Sequence, residues 1–236
     1  MPEKDGRTRG KKRRGSERES KSGASFAEGL NFYKLFWVFF IGSFLGVVIE
    51  VLFCLATQHR LESRTGLVYG PFNLVYGFGA LAITLGLYWL RNQRDLWIFL
   101  GGILLGGAFE YLCSWFQEMV FGTVSWEYSY MRFNLNGRVN LLYSIFWGFL
   151  ALLWLKDTFP RISGAIERIP NKIGKPLTWA LVVFMLFNTV MSAAAVARQT
   201  DRRAGIEASN SFEVYLDEHF DDEKLKEIYP NMQVVE

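Results

Sequence analysis

Cysteine and histidine are scarce, with two of each among 236 residues. Cys54 and Cys113 stand far apart at the ends of apolar runs, which argues against a disulfide scaffold and for two small buried side chains. His59 and His219 are isolated from the cysteines and from each other, so no zinc-ligand spacing occurs. His219 lies within Asp217-Glu218-His219-Phe220-Asp221-Asp222-Glu223, which reads as a solvated acidic helix end. No G-x-x-x-x-G-K-[ST] segment is present, which excludes a nucleotide-binding loop of that kind. The expectation is therefore no cofactor and no catalytic constellation in this chain. Charge, too, is missing from long stretches.

What the chain has is apolar length. Apolar residues make up 50% and aromatics 17%. Five runs reach the roughly 17 to 25 residues that cross a bilayer. They are Leu35–Leu55, Phe72–Leu90, Leu96–Phe116, Val139–Leu155 and Leu177–Ala197. Lipid offers unpaired backbone groups no partner, so each run is expected to be helical. Gly70, Pro71, Asn73, Gly77 and Gly79 leave open whether Phe72–Leu90 spans fully or is re-entrant. A signal peptide is a poor reading of the start. The polar lead-in exceeds 30 residues, and the run after it is longer than an h-region of about 7 to 15. The predicted fold is all-α, a polytopic membrane helical bundle of about five transmembrane helices. Residues 1–30 form a disordered basic tail, 31–197 the transmembrane domain and 198–236 an acidic C-terminal tail.

Charge segregation suggests the orientation. Residues 1–34 hold ten Lys and Arg, including Lys11, Lys12, Arg13 and Arg14. The positive-inside rule keeps that cluster cytoplasmic. Five crossings then put 17 of the 26 basic residues inside and 9 outside, with the C-terminus extracytoplasmic. Arg198, Arg202 and Arg203 run against this, crowding the outer end of the last helix. The basic tail reads as an orienting segment, or alternatively as a contact for anionic headgroups or RNA. Membrane lipid is the expected partner and nucleic acid is not.

The ladder Gly42, Gly46, Glu50 returns 60 positions later as Gly102, Gly106, Glu110. Spacing by four places each set on one helix face. A second echo, offset by 67, matches Gly70-Pro71-Phe72-Asn73-Leu74-Val75-Tyr76 to Gly137-Arg138-Val139-Asn140-Leu141-Leu142-Tyr143. Two crossings per unit give a parallel internal repeat (about 35–90 and 96–155) with a fifth helix, 177–197, appended. Glycines at this spacing let helices approach closely. A carboxylate at that depth needs a proton, a cation or water, and packing alone does not call for it. Glu50 and Glu110 are expected at matching depths near a pseudo-two-fold axis, with coupled titrations. Arg138 is the first candidate counter-charge and Arg64 the second. Asn73, Asn140, Tyr76 and Tyr143 could add hydrogen bonds to the same cluster. The loop around Trp126 and Glu127 reads as an interfacial aromatic belt or as a lid over the outer mouth.

Together these residues resemble the bacterial membrane family described as putative ABC-transporter type IV (CmpB-like). The resemblance rests on Gly46 to Glu50, Tyr69-Gly70-Pro71-Phe72, Tyr76-Gly77 and Phe109-Glu110-Tyr111. It continues through Phe121-Gly122, Trp126-Glu127-Tyr128-Ser129, Phe133-Asn134, Gly137-Arg138 and Trp147-Gly148. Arg198, Arg202-Arg203, Asn210 and Tyr229-Pro230-Asn231 extend it, so that it covers roughly residues 32 to 232. It implies a multi-pass plasma-membrane protein, a permease subunit working with an ATPase supplied in trans. The loop from Lys156 to Pro176, with an amphipathic stretch at Arg161–Ile169, is the expected dock. A homo- or hetero-oligomer fits the same picture. The alternatives are a membrane scaffold or regulatory subunit, or a membrane-embedded lipid-modifying enzyme with Glu50 or Glu110 as general base.

Overall fold

The computed structural model describes residues 24–234. The basic lead-in through residue 23 lies outside the described residues. The first apolar run becomes α1 (Phe32–Gln58), which begins where the Asn31 side chain accepts from the Lys34 amide at 2.9 Å. It ends where His59 adopts a left-handed conformation. The second run gives α2 (Leu74–Leu87) and a 3-10 turn (Tyr88–Leu90). The third gives α3 (Asp95–Phe121), closed by Gly122 at φ 60°. α4 (Leu141–Leu153) passes through a π turn (Trp154–Thr158) into α5 (Phe159–Glu167). α6 (Asn171–Arg203) is the longest helix, followed by α7 (Ser211–His219) and α8 (Asp222–Ile228). Four two-residue strands, β1 (Thr123–Val124), β2 (Asn134–Leu135), β3 (Val139–Asn140) and β4 (Gln233–Val234), pair antiparallel as β1 with β4 and β2 with β3.

The architecture is all-α. Helices α1, α3, α4 continued through α5, and α6 are long and apolar enough to cross a membrane. The remaining run, Leu74–Leu90, is a shorter apolar helix. Its 14 α-helical and three 3-10 residues rise roughly 27 Å, somewhat less than a hydrocarbon core of about 30 Å. Along these helices large apolar side chains stand open, among them Ile49, Phe53, Leu104, Phe149 and Leu186. Contiguous exposed apolar surface of this kind suits lipid and not water.

Segments gather at the two ends of the bundle by their contacts. At one end, Ser25 and Phe26 meet Glu167 and Asn171, and Lys156 pairs with Asp95 at 2.9 Å. The core there packs Val38, Leu87, Leu90, Ile98, Trp154 and Phe159 together, with the Trp154 indole donating to Thr84 at 2.8 Å. Lys34, 1% exposed, is held between Ser163 and Glu167. Lys34 is thus a paired buried lysine, and Ser25 and Phe26 are docked residues within the stretch expected to be a tail.

At the other end, the loop after α1 is pinned by α6. The Val68 amide donates to Ser192 at 2.9 Å, and Asn188 exchanges two hydrogen bonds with the Tyr69 backbone, at 3.1 and 2.6 Å. The residues beyond α6 fold back as a cap. Met191, Ala195, Leu216, Phe220 and Leu225 form its core. Arg198, 4% exposed, is doubly hydrogen-bonded to Asp217 at 2.9 Å, and Arg202 joins Asp217 and Asp222. Two of the three arginines that crowd the end of this helix are therefore ion-paired by the acidic segment that follows it.

Candidate functional site

The two glycine ladders are helix-packing surfaces. A Cβ on Gly42 would sit 2.7 Å from that of Ala80, and one on Gly102 would sit 2.6 Å from that of Ala151. Gly46 lies under the Tyr76 ring and Gly106 under the Trp147 ring, closer than any side chain could replace. A third contact recurs: Phe39 covers Gly77, and Phe99 covers Gly148. On α1 and α3 the matched positions are 60 apart. On α2 and α4 they are 71 apart, linking Tyr76-Gly77-Phe78 and Ala80 with Trp147-Gly148-Phe149 and Ala151. The sequence echo at 67 aligned Asn73 with Asn140. Both do cap their helices, at 3.0 Å to Val75 and 2.9 Å to Leu142. α4 simply starts one turn earlier relative to the packing contacts. The difference of four residues is one helical turn, which leaves the face unchanged.

Above each ladder stands its carboxylate. Glu50 is half-buried, with Arg64 Nη1 at 3.7 Å from its Oε1. Arg64 also holds Glu62 at 2.7 Å. Glu110 is 8% exposed, and its Oε1 accepts from the Tyr128 hydroxyl at 2.9 Å. Its Oε2 is buried without a hydrogen-bond partner among the described residues. Arg138 is held elsewhere: its Nη2 lies 2.6 Å from Glu118 Oε2 and its Nη1 donates to Ser114 at 3.4 Å. Among the described residues no ion pair joins Arg138 to Glu50 or Glu110, and none joins the carboxylates to a common partner. Each carboxylate is engaged by its own connecting loop.

The remaining candidates build these loops. The Asn73 amide donates to the Arg64 carbonyl at 3.2 Å and the Asn140 amide to the Arg132 carbonyl at 2.7 Å, so both asparagines fasten loop to helix. Tyr76 packs on Gly46, and Tyr143 stacks on Tyr128 with ring centres 4.8 Å apart. The Trp126 indole donates to the Arg138 carbonyl at 3.0 Å, which fixes the backbone carrying that arginine. Glu127 is exposed and accepts from the Ser129 amide at 2.7 Å. Hydrogen bonds from the Ser129 side chain and backbone hold its carboxyl below the ordinary value, so it serves as a turn cap.

Several participants went unnoticed in the sequence although their signal was there. Ser114 and Glu118 continue the four-residue spacing from Glu110, as Cys54 and Gln58 continue it from Glu50. Tyr128 and Glu62 had no spacing to betray them, because loop geometry brings them in. Among the described residues no group of three His, Cys, Asp or Glu could hold a metal ion.

The model of the family described as "Putative ABC-transporter type IV" matches residues 37–193. The chain belongs to that family. The match runs from within α1 to within α6 and includes both carboxylate clusters; the C-terminal cap lies beyond it. No curated protein and no solved structure matches the chain.

Proposed function

We propose that this protein is the membrane-spanning permease subunit of a transporter in the plasma membrane, built on a duplicated pair of helices. The observation that carries the reading is the recurrence of one arrangement. A glycine ladder, a carboxylate above it and a loop arginine at the helix end occur on α1 and again on α3. Ionisable groups at such depth are retained for passage or coupling more often than for packing. The family description supports an ABC-transporter component, and with no nucleotide-binding loop here the ATPase would be supplied in trans.

The end carrying α5 is the cytoplasmic one in this reading, following the basic excess. Its dock is the surface of α5 and the start of α6, where Arg161, Arg168, Lys172 and Lys175 are exposed. The cap at the opposite end is extracytoplasmic. Purification from native membranes in mild detergent tests the proposal. An ATP-hydrolysing subunit should co-elute, and charge reversal at Arg161 and Arg168 should release it. A chain that elutes alone, without ATPase activity, sinks the ABC version.

A further inference from the structure

The two carboxylate clusters differ in where the arginine sits. Arg64 lies between Glu50 and Glu62. Arg138 makes no ion pair with its ladder carboxylate and instead holds Glu118, two turns along α3, with Ser114 midway. Glu110 is left with neutral donors, the Tyr128 hydroxyl at Oε1 and the Trp147 indole close by, and its buried Oε2 makes no hydrogen bond among the described residues. The groups near it are neutral: Cys113 on its own helix and Trp147 on α4, with Tyr143 stacked behind the Tyr128 ring. The charged groups nearby, Arg138 and Glu118, satisfy each other. A naked carboxylate in such a place would be an uncompensated buried anion, which is strongly destabilising.

We propose that Glu110 is a proton-binding site and that Arg138 is its exchangeable counter-ion, alternating between Glu118 when Glu110 carries the proton and Glu110 when it does not. This rests on the permease reading and deepens it by naming a proton as the ion that the buried carboxylate binds. The balance is simple. The O–H bond at Oε2 breaks, the proton leaves to water at the outer mouth, and the site becomes an anion. Arg138 then swings past Ser114 to pair with it. Glu118, whose side chain is 34% exposed, is left as a solvated carboxylate. The Arg64 cluster shows that a loop arginine can reach the ladder carboxylate, with its Nη1 3.7 Å from Glu50 Oε1.

Infrared spectroscopy of the whole protein in lipid bilayers tests this. Exposed carboxyls are ionised at pH 7, so a protonated-carboxyl carbonyl band there reports a dry site. The band should be present in the wild type, lost in E110Q and retained in E50Q. Y128F removes the hydrogen bond and should shift the band without removing it, which keeps the test decisive if E110Q fails to fold. E118Q frees Arg138 and should weaken the band as the arginine moves onto Glu110. Absence of the band in the wild type, its persistence in E110Q, or no shift in Y128F overturns the proton site. An unchanged band in E118Q overturns the exchange. A wild-type band that behaves as described, in a protein showing neither transport nor an ATPase partner, would remove the permease reading and leave the proton site standing.

Discussion

Glu50 and Glu110 occupy the same rung of the same ladder, yet one is ion-paired and half-open while the other is dry and hydrogen-bonded to a phenol. The helix rungs above them explain why. Two turns beyond Glu110 stands Glu118, a charge that can hold Arg138; two turns beyond Glu50 stands Gln58, which cannot hold Arg64 in the same way. Arg64 therefore turns to Glu62 in the loop and to Glu50 itself. The two helix ends thus differ by an acid for an amide, about 12 Å along the axis from the ladder carboxylate.

The packing half of this comparison is tested by the largest perturbation. Gly46→Ala and Gly106→Ala each drive a Cβ into an aromatic side chain, so each should cost about 3 kcal/mol, as overpacked cores do. Unfolding midpoints in detergent measure this, and a tolerated substitution at either site would break the equivalence of the two ladders. Next in size come the arginines. Arg64→Gln strips Glu50 of its counter-charge and should cost about 2 kcal/mol, whereas Arg138→Gln exposes only the partly solvated Glu118 and should cost about 1 kcal/mol. The reverse order in the same assay would contradict the assignment.

The carboxylates themselves should matter less to stability. Glu110→Gln replaces a group that faces only neutral partners and is expected within about 0.5 kcal/mol of wild type, with Glu50→Gln nearer 1 kcal/mol. The smallest effect is confined to the cap. Hydrogen bonds from Arg198 and Arg202 hold Asp217 below its ordinary value of 3.8. A depressed carboxyl contributes stability above the unfolded value and loses it as pH falls through the folded one. Hydrogen-exchange protection of α7 and α8 should thus be constant above about pH 5 and decline below 3.8, with the long helices unaffected.

The helices were legible because each apolar run needs a helix: three runs fell inside α1, α3 and α6, and the other two began two residues before α2 and α4. The ladders were legible as packing faces because spacing by four survives any rotation of the partner. The register of α2 and α4 was not. Asn73 and Asn140 invited an alignment at 67 because an N-cap marks where a helix starts, not what it packs against. The aromatic-Gly-Phe pairs at 76–78 and 147–149 held the better signal. The partner of Arg138 was not legible for a similar reason: sequence puts it at the helix end, and only the loop decides that it rests on Glu118.

Sequence alone determined that apolar helices dominate, that two of them carry a carboxylate above a glycine ladder, and which family the chain resembles. These are local or periodic properties, written in the order of residues. Tertiary structure decided that Glu110 meets Tyr128 and Glu50 meets Arg64, that Arg138 rests on Glu118, and that the C-terminal acids neutralise Arg198 and Arg202. A charge buried from water takes whichever partner the folded loops deliver, and no spacing along the chain encodes that choice.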